Sequence, residues 1–151
     1  MGKMTPSLDA ETEAVREAYA ALNRNDIPAM IESFDPQIER IEFEGLPQEG
    51  AYRGLAAVKE HISKARATWA EGSCEPRQFI IAGDKIVASV DVRVRLKHET
   101  QWREGQVADV FTFRNGKIIQ FRTFSEIQQA LEWAGVDGLD SSQPTTDSKG
   151  G

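Results

Sequence analysis

A carboxylate stands among apolar side chains in one strand-like segment of this sequence. The stretch "DVFTFRNGKIIQFRTF" covers residues 109–124 and predicts two strands joined at Asn115–Gly116, a dipeptide typical of hairpin turns. Because side chains alternate along a strand, one face of the first strand collects Val107, Asp109, Phe111 and Phe113. Burying an ionised carboxylate is costly, so Asp109 either has donors or water nearby, or is held protonated and able to donate.

A tyrosine on the first predicted helix has complementary chemistry. Val15, Tyr19 and Leu22 recur at helical spacing, which places Tyr19 on the buried face of that helix. A tyrosine in such a place is usually a core residue whose hydroxyl reaches one partner. The alternative hypothesis is that Tyr19 and Asp109 point into one interior and converge as two hydrogen-bond donors on a ligand oxygen.

The other reactive residue types give weaker signals. The two histidines are far apart in sequence without a carboxylate at ligand spacing, so we expect no metal site. The sequence also has no Gly-rich phosphate loop, and we expect no cofactor. His61 is predicted to be exposed beside Lys64, whereas His98 ends a strand as a rim residue or as a hydrogen-bonding residue of a pocket. Cys74 lies among acids in "EGSCEPR", which disfavours a nucleophilic thiolate.

Helical periodicity dominates the first half of the chain. It predicts helices that begin near Asp9, Ile27 and Leu55, with Phe34 on the second helix and Trp69 at the end of the third. Between the second and third helices, "QIERIEFEG" alternates like a strand and leads into a Gly/Pro-rich loop, "GLPQEGAYRG".

Strand signals dominate the second half. From Glu75 onward, hairpin signals separate long alternating segments, and "SEIQQALEWAG" closes the domain as a helix. This order predicts one α+β domain over residues 9–136, with disordered ends at 1–8 and 137–151. A curved sheet wrapped over the first helix would enclose a cone-shaped interior.

Composition narrows the possible partners. The net charge of the 151 residues is −6 and the basic residues are dispersed among acids, which argues against a nucleic-acid partner. The single cysteine excludes an internal disulfide bond. With neither an apolar run long enough to span a membrane nor a signal-peptide core, the sequence favours a cytoplasmic protein without a membrane partner.

Three stretches together resemble the nuclear-transport-factor-two-like superfamily, in particular its SnoaL-like and ketosteroid-isomerase-like branch. They are "VREAYAALNRNDIPAMIESF", "YRGLAAVKEHI" and "ADVFTFRNGKIIQFRTFSEIQQALEWAG", and the likeness runs from about Asp9 to Val136. The resemblance implies a single SnoaL-like domain with a cystatin-like fold, in which a curved antiparallel sheet wraps around an N-terminal helix. It also implies a pocket for a hydrophobic small molecule and, often, a homodimer packed through the outer sheet face.

The isomerase pattern implies three catalytic roles. Tyr19 matches the helix tyrosine that donates to the substrate oxygen, and Asp109 matches the acid that stays protonated and donates to the same oxygen. The general base belongs at the end of the first strand, where an ungapped reading places Glu42 and then Glu44 on one face. The alternative register turns Phe43 inward and both glutamates toward solvent.

The same resemblance suggests further site residues. Candidates for the substrate-binding wall are Trp69, Val90, Val92, His98 and Phe111. Glu126 occupies about the place where the SnoaL-like branch carries an acid, although a glutamate in the first turn of a helix is also favoured by the helix dipole. Asp91 and Arg93 face away from the interior, which sets aside the epoxide-hydrolase activity known in this superfamily.

Two functions therefore remain open. One is a cofactor-independent isomerase or cyclase that forms an enolate from a steroid-like or polyketide-like ketone. The other is a non-catalytic ligand-binding or dimeric interaction module of the same fold. A homodimer is further suggested by the mixed charges along the outer face of one strand, which suit paired contacts across a two-fold axis. They are Asp91, Arg93, Arg95 and Lys97.

Overall fold

The computed structural model describes residues 8–43 and 50–136. The helices within these residues are α1 (Leu8–Asn23), α2 (Ile27–Met30), α3 (Leu55–Ala67) and α4 (Ile127–Trp133), and a 3₁₀ turn at Ile31–Ser33 follows α2. The strands are β1 (Phe34–Glu42), β2 (Gly50–Arg53), β3 (Trp69–Ala82), β4 (Lys85–Leu96), β5 (Arg103–Arg114) and β6 (Lys117–Phe124).

The six strands form one open, curved sheet in the order β2-β1-β6-β5-β4-β3. Neighbouring strands run antiparallel except β1 and β6, which are parallel. The expected α+β fold with a curved sheet and an N-terminal helix is therefore confirmed.

Each face of the sheet carries its own apolar cluster. The larger cluster fills the concave face beneath α1, α2 and α3, and it includes the fully buried Val15, Ile38, Val58 and Ile118. On the opposite face, α4 covers a smaller cluster centred on β5. As a result β5 is buried on both sides between residues 108 and 113. Its concave side carries Asp109, so this carboxyl group lies in the interior of the domain.

The hairpin between β5 and β6 determines which residue meets Asp109. Asn115 and Gly116 adopt φ values of 54° and 79°, the left-handed conformation that the predicted turn requires. The resulting register pairs Asp109 with Thr123 of β6. Since directly opposed residues of an antiparallel pair project to the same face, the Thr123 side chain points into the same interior.

Strand pairing replaces a predicted helix at two places and a predicted loop at a third. Phe34, expected on the second helix, begins β1, and Trp69, expected on the third helix, begins β3 by pairing with Leu96. The segment Gly50–Arg53, expected as loop, forms the edge strand β2 along β1. The N-terminal helix begins at Leu8, one residue before the predicted start, so Asp9 lies in its first turn.

The remaining expectations concern the chain ends and the membrane. The ends predicted to be disordered, 1–8 and 137–151, lie outside the described residues except for Leu8. In the part of the chain that the structure describes, no helix combines the length and apolar character needed to cross a bilayer.

Candidate functional site

Asp109 is held by hydroxyl groups from two different elements. The Tyr19 hydroxyl of α1 donates to Oδ2 of Asp109, and Thr123 Oγ1 of β6 donates to Oδ1 over 2.6 Å. The carboxyl group is buried, with 4% of the residue exposed. Both of its oxygens are thus satisfied by side-chain hydroxyl groups. We call these three residues the Tyr19–Asp109–Thr123 chain.

Burial changes the acidity of this chain. It raises the pKa of Asp109, against the positive charge of Arg40 and the hydrogen bonds from Thr123 and Tyr19, while the charge of Glu42 raises this pKa further. Burial and the nearby Asp109 charge also raise the pKa of Tyr19 well above its ordinary value. Tyr19 is therefore a hydrogen-bond donor, and Asp109 is protonated more readily than an aspartic acid in water.

Aromatic side chains close the space around Tyr19. Its ring meets Phe111 edge-on with centroids 5.9 Å apart, and Phe111 stacks on Phe121 at 4.6 Å. Tyr19 itself is only 3% exposed. In this arrangement Tyr19 donates directly to Asp109, instead of both residues pointing at an open position for a ligand oxygen.

Glu42 faces the interior, in the register that makes it the candidate base. Arg40 and Glu42 follow Ile38 on the inward side of β1, and the side chain of Glu42 is 10% exposed. Arg40 Nη2 donates to Glu42 Oε1 over 2.9 Å, and His61 Nε2 lies 2.8 Å from Glu42 Oε2. The alternative register with a solvated Glu42 is wrong, whereas Glu44, the second glutamate of that prediction, lies outside the described residues. We call these residues the Arg40–Glu42–His61 cluster.

Arg40 links this cluster to the interior of the sheet. Its Nη1 donates to the carbonyl oxygens of Ile41 and Phe121 at 2.9 and 3.1 Å. Its guanidinium group also lies 3.9 Å from the centre of the Phe121 ring. A buried arginine held by several acceptors and a ring has little freedom to move, so Arg40 fixes the carboxylate of Glu42 in place.

The prediction that His61 is exposed is wrong. The residue is 9% exposed, and its ring stacks on Tyr52 of β2 with centroids 3.9 Å apart and an angle of 14° between the planes. His61 lies one turn after Val58 on α3, at the margin of the apolar stripe. The edge strand β2, which the sequence did not predict, supplies the ring that covers it.

Two surface clefts adjoin these groups. The β1–β6 cleft measures about 400 Å³ and is lined by Glu42, Phe43, Arg122, Thr123, Phe124, Ser125 and Gln129. The α3 cleft measures about 410 Å³ and is lined by Tyr52, Ala57, Glu60, His61, Lys64, Ala65 and Thr68. The Arg40–Glu42–His61 cluster therefore reaches the β1–β6 cleft through Glu42. The Tyr19–Asp109–Thr123 chain reaches the same cleft through Thr123.

The predicted wall residues do not line the β1–β6 cleft. Val90 and Phe111 are buried in the concave cluster, and Val92 packs against it. Trp69 lies at the start of β3, where its ring packs under the guanidinium group of Arg66 at 4.5 Å. His98 is exposed in the turn after β4, because that strand ends at Leu96. His98 thus occupies the rim position, which was one of its two expected places, and Trp69 is half-buried outside the concave cluster.

Three further predictions concern reactive groups. Burial raises the pKa of the Cys74 thiol to about 12, which keeps it protonated and disfavours a nucleophilic role. Glu126 is exposed immediately before α4 and does not line the β1–β6 cleft. Within residues 8–43 and 50–136, no three His, Cys, Asp or Glu side chains group together as metal ligands would.

Comparison with known families identifies the class of protein. The model of the SnoaL-like domain matches residues 15–121, which is more than half of the chain. The chain therefore belongs to the SnoaL-like domain family, as its resemblance suggested. A comparison with curated protein sequences found no significant match.

Solved structures show the same fold at low sequence identity. An NTF2-like protein of unknown function from Burkholderia pseudomallei K96243 is 22% identical, with a TM-score of 0.71 over 84% of this chain and 98% of that one. A putative SnoaL-like polyketide cyclase from Jannaschia sp. CCS1 is 14% identical, with a TM-score of 0.71 over 91% and 99% of the two chains. A protein with a ketosteroid isomerase-like fold from Catenulispora acidiphila DSM 44928, in complex with trimethylamine, is 14% identical, with a TM-score of 0.67 over 82% and 93%. These identities establish the fold alone.

Proposed function

We propose that this SnoaL-like domain binds a hydrophobic, oxygenated small molecule in the β1–β6 cleft and acts on it as a cofactor-independent isomerase or cyclase. The observation that carries the proposal is the placement of Glu42. Glu42 lines the cleft, and its carboxylate is held at both oxygens by Arg40 and His61. A carboxylate that is fixed in this way can meet a substrate C–H bond in a constant geometry, as a general base must.

The proposed reaction begins with proton transfer from carbon to Glu42. Glu42 takes a proton from the carbon next to a ketone, and the electron pair of the C–H bond moves to the carbonyl oxygen to give an enolate. In an isomerase Glu42 returns the proton to another carbon of the same molecule. In a cyclase the enolate carbon attacks a second carbonyl group, whose oxygen takes up the proton.

The Tyr19–Asp109–Thr123 chain supports the other half of this chemistry. An enolate carries negative charge on oxygen, and hydrogen-bond donors in a partly buried site stabilise such charge. Through Thr123, the Tyr19–Asp109–Thr123 chain reaches the same cleft as Glu42. A steroid-like or polyketide-like ketone would suit this pairing of a base with donors, and the fold shared with a putative polyketide cyclase agrees with such a substrate by analogy.

A non-catalytic ligand-binding module is the second candidate. The observation in its favour is the close packing behind the cleft, where Tyr19, Val90 and Phe111 are each at most 3% exposed. A ligand would then sit in the β1–β6 cleft without entering the interior. Such a module would bind ketones but would not exchange their protons.

We further propose a homodimer through the outer face of the sheet. On that face Asp91 accepts hydrogen bonds from Arg77 and Gln106 at 2.7 and 2.8 Å, and Arg93 pairs with Glu104 at 2.6 Å. Asp91 and Arg93 are thus each paired within the chain. A surface of internally paired charges can approach a second copy without leaving single charges buried.

Proton exchange in D₂O tests the enzymatic proposal. A panel of steroid-like and aromatic ketones is incubated with the protein, and loss of the signals of the α-protons is followed by ¹H NMR. We expect exchange with the wild type and at least about a hundredfold slower exchange with Glu42→Gln. The matched control is Glu39→Gln on the same strand, because Glu39 pairs with Arg53 outside the interior.

The outcomes separate the two candidates. Equal exchange by wild type and Glu42→Gln would contradict the role of Glu42. Ketone binding without any exchange would favour the non-catalytic module. Thermal unfolding of both variants verifies that each is folded.

A further inference from the structure

We propose that Thr123 is the residue that contacts the ligand oxygen in the β1–β6 cleft, and that Asp109 determines whether Thr123 presents a hydrogen-bond donor or only an acceptor. The ligand class that this arrangement selects is a ketone or enolate, whose oxygen can only accept. The inference rests on the proposed function for the position of the ligand in the β1–β6 cleft, but it does not depend on catalysis by Glu42.

The position of Thr123 singles it out within the Tyr19–Asp109–Thr123 chain. Thr123 lines the β1–β6 cleft together with Glu42, whereas Tyr19 and Asp109 do not line it. The pairing of Asp109 with Thr123 across β5 and β6 keeps Oγ1 of Thr123 at 2.6 Å from Oδ1 of Asp109. Thr123 is therefore the residue of this set that both contacts the buried acid and lines the cleft.

The hydrogen bonds of the Tyr19–Asp109–Thr123 chain can be counted atom by atom. Each hydroxyl group has one hydrogen to donate and two lone pairs to accept. When Asp109 is ionised, both hydroxyl hydrogens point at its oxygens, as in the geometry described above. Thr123 then offers the cleft lone pairs only, so a ketone oxygen finds no donor there.

A proton on Asp109 reverses the direction of one bond. With the proton on Oδ1, Asp109 donates to Thr123, and the hydrogen of Thr123 becomes free to point into the cleft. Tyr19 continues to donate to Oδ2. One proton in the interior thus converts Thr123 from an acceptor into a donor at the cleft, without movement of any heavy atom.

Groups from four elements set the balance between these two forms. Arg40 of β1 favours ionised Asp109, as do the hydrogen bonds from Tyr19 of α1 and from Thr123 of β6. Glu42 of β1 and burial favour the protonated form, and burial is the largest influence. The fourth element, β3, places the thiol of Cys74 close enough for the charge of Asp109 to raise the pKa of this thiol. Because its pKa is high, the thiol stays neutral. A negative charge on a bound enolate would add to the influences that favour protonation.

A matched pair of probes tests the inference. The acceptor-only probe is 2-acetylnaphthalene, and its partner is the corresponding alcohol, 1-(2-naphthyl)ethanol, which can also donate. The dissociation constants of both are measured by fluorescence between pH 4 and 9. The pKa of Asp109 is located in the same protein by ¹³C NMR of its carboxyl group.

The wild type is expected to bind the ketone more weakly as the pH rises through the pKa of Asp109, while the alcohol changes less. Thr123→Val removes the hydroxyl group at nearly constant shape and is expected to weaken ketone binding about 5- to 100-fold at low pH. Thr123→Ser restores the hydroxyl group and should restore binding. Asp109→Asn donates through its amide at every pH, so ketone binding should stay tight and lose its pH dependence.

The control variant is Thr112→Val, on the neighbouring strand. Thr112 is buried on the opposite face of the sheet, and its Oγ1 has no hydrogen-bond partner among the described residues. We expect it to leave ketone binding unchanged. This control separates the loss of the Thr123 contact from a general effect of exchanging a buried threonine for valine.

Three results would overturn the inference. They are ketone binding by Thr123→Val equal to that of the wild type, ketone binding that does not change with pH in the wild type, and no ketone binding by the wild type at millimolar concentration. Failure of the proposed function has a different signature. In that case proton exchange is absent or insensitive to Glu42→Gln, while the effects of Thr123 and Asp109 on ketone affinity persist.

Discussion

Asp109→Asn replaces a buried carboxyl group by an amide of nearly the same shape. The Oδ1 atom of the new amide can accept from the Tyr19 hydroxyl, and its NH₂ group can donate to Thr123, whose hydroxyl is free to rotate. Both hydrogen-bond partners of the native side chain are therefore kept, with the direction of the bond to Thr123 reversed. Because the cost of burying a charge disappears, we expect the unfolding free energy at pH 7 to be unchanged or increased.

Asp109→Ala has the opposite consequence. It removes the partner of two hydroxyl groups in the interior, and a buried donor left without a partner costs about 1–3 kcal/mol. Two such groups, Tyr19 and Thr123, give an expected loss of about 2–6 kcal/mol in unfolding free energy. The difference between the Asn and Ala variants thus measures the hydrogen bonds, separately from the charge.

The pH dependence carries a definite sign. Burial raises the pKa of Asp109 in the folded protein above its value in the unfolded chain, so the folded state binds more protons between the two values. The contribution of Asp109 to stability is complete below the unfolded-state pKa of about 3.9, and it is lost as the pH rises through the folded-state pKa. The advantage of Asp109→Asn over the wild type should therefore be larger at pH 7 than at pH 4.

Urea unfolding followed by circular dichroism at both pH values measures these differences. The matched control is Asp91→Asn on the outer face, where hydrogen bonds from Arg77 and Gln106 lower the pKa of the aspartate. The contribution of Asp91 is present above its unfolded-state pKa and is lost only as the pH falls through its lowered folded-state pKa, so the effect of Asp91→Asn on stability should change little between pH 7 and pH 4. The reasoning is refuted if Asp109→Asn loses stability relative to the wild type as the pH rises, or if the Asn and Ala variants are destabilised alike.

Three further outcomes are expected. His61→Phe keeps a ring on Tyr52 but leaves Oε2 of Glu42 without the His61 partner. Chemical denaturation should therefore show a loss of about 1–3 kcal/mol in unfolding free energy. The control is His98→Phe at the exposed histidine, which should stay within about 0.5 kcal/mol of the wild type. Thr112→Val removes a buried hydroxyl group that has no partner among the described residues, so the unfolding free energy of this variant should equal or exceed that of the wild type. A clear loss would mean that the Thr112 hydroxyl group does make a stabilising hydrogen bond. Sedimentation at micromolar concentration should show a species of twice 16.8 kDa, and a single 16.8 kDa species would contradict the proposed dimer.

The residues that sequence periodicity could place are those on long, regular elements. Tyr19 lies on a 16-residue helix and Asp109 on a 12-residue strand, and in both cases the phase of the neighbouring apolar residues gives the buried face. The turn at Asn115–Gly116 was equally clear, because few residues accept its positive φ values.

The phase of β1 was harder to predict. A slip of one residue turns every side chain of a strand to the other face, so Glu42 and Phe43 could not be separated by sequence alone. The inward face of β1 carries Arg40, and the rule that apolar residues lie inside does not anticipate a buried arginine. Only the acceptors supplied by β6 and by Glu42 make that position favourable for its charge.

His61 and Thr123 were missed because their partners come from elsewhere in the chain. Tyr52 covers His61 from a strand of only four residues, which is too short to show a period. Thr123 has the ordinary appearance of a strand residue, and only the β5–β6 register places it opposite Asp109. Trp69 was misplaced for a related reason, since pairing with β4 ends the helix before it.

A crystal structure of the protein with 2-acetylnaphthalene bound would test the central claim most directly. The claim is that Glu42 and Thr123 face one ligand in the β1–β6 cleft. We expect the ketone oxygen at 2.7–3.2 Å from Thr123 Oγ1 and the α-carbon of the ketone within about 3.5 Å of a Glu42 carboxylate oxygen. A ketone bound in the α3 cleft, or in the β1–β6 cleft with its oxygen turned away from Thr123 and its α-carbon out of reach of Glu42, would contradict the claim.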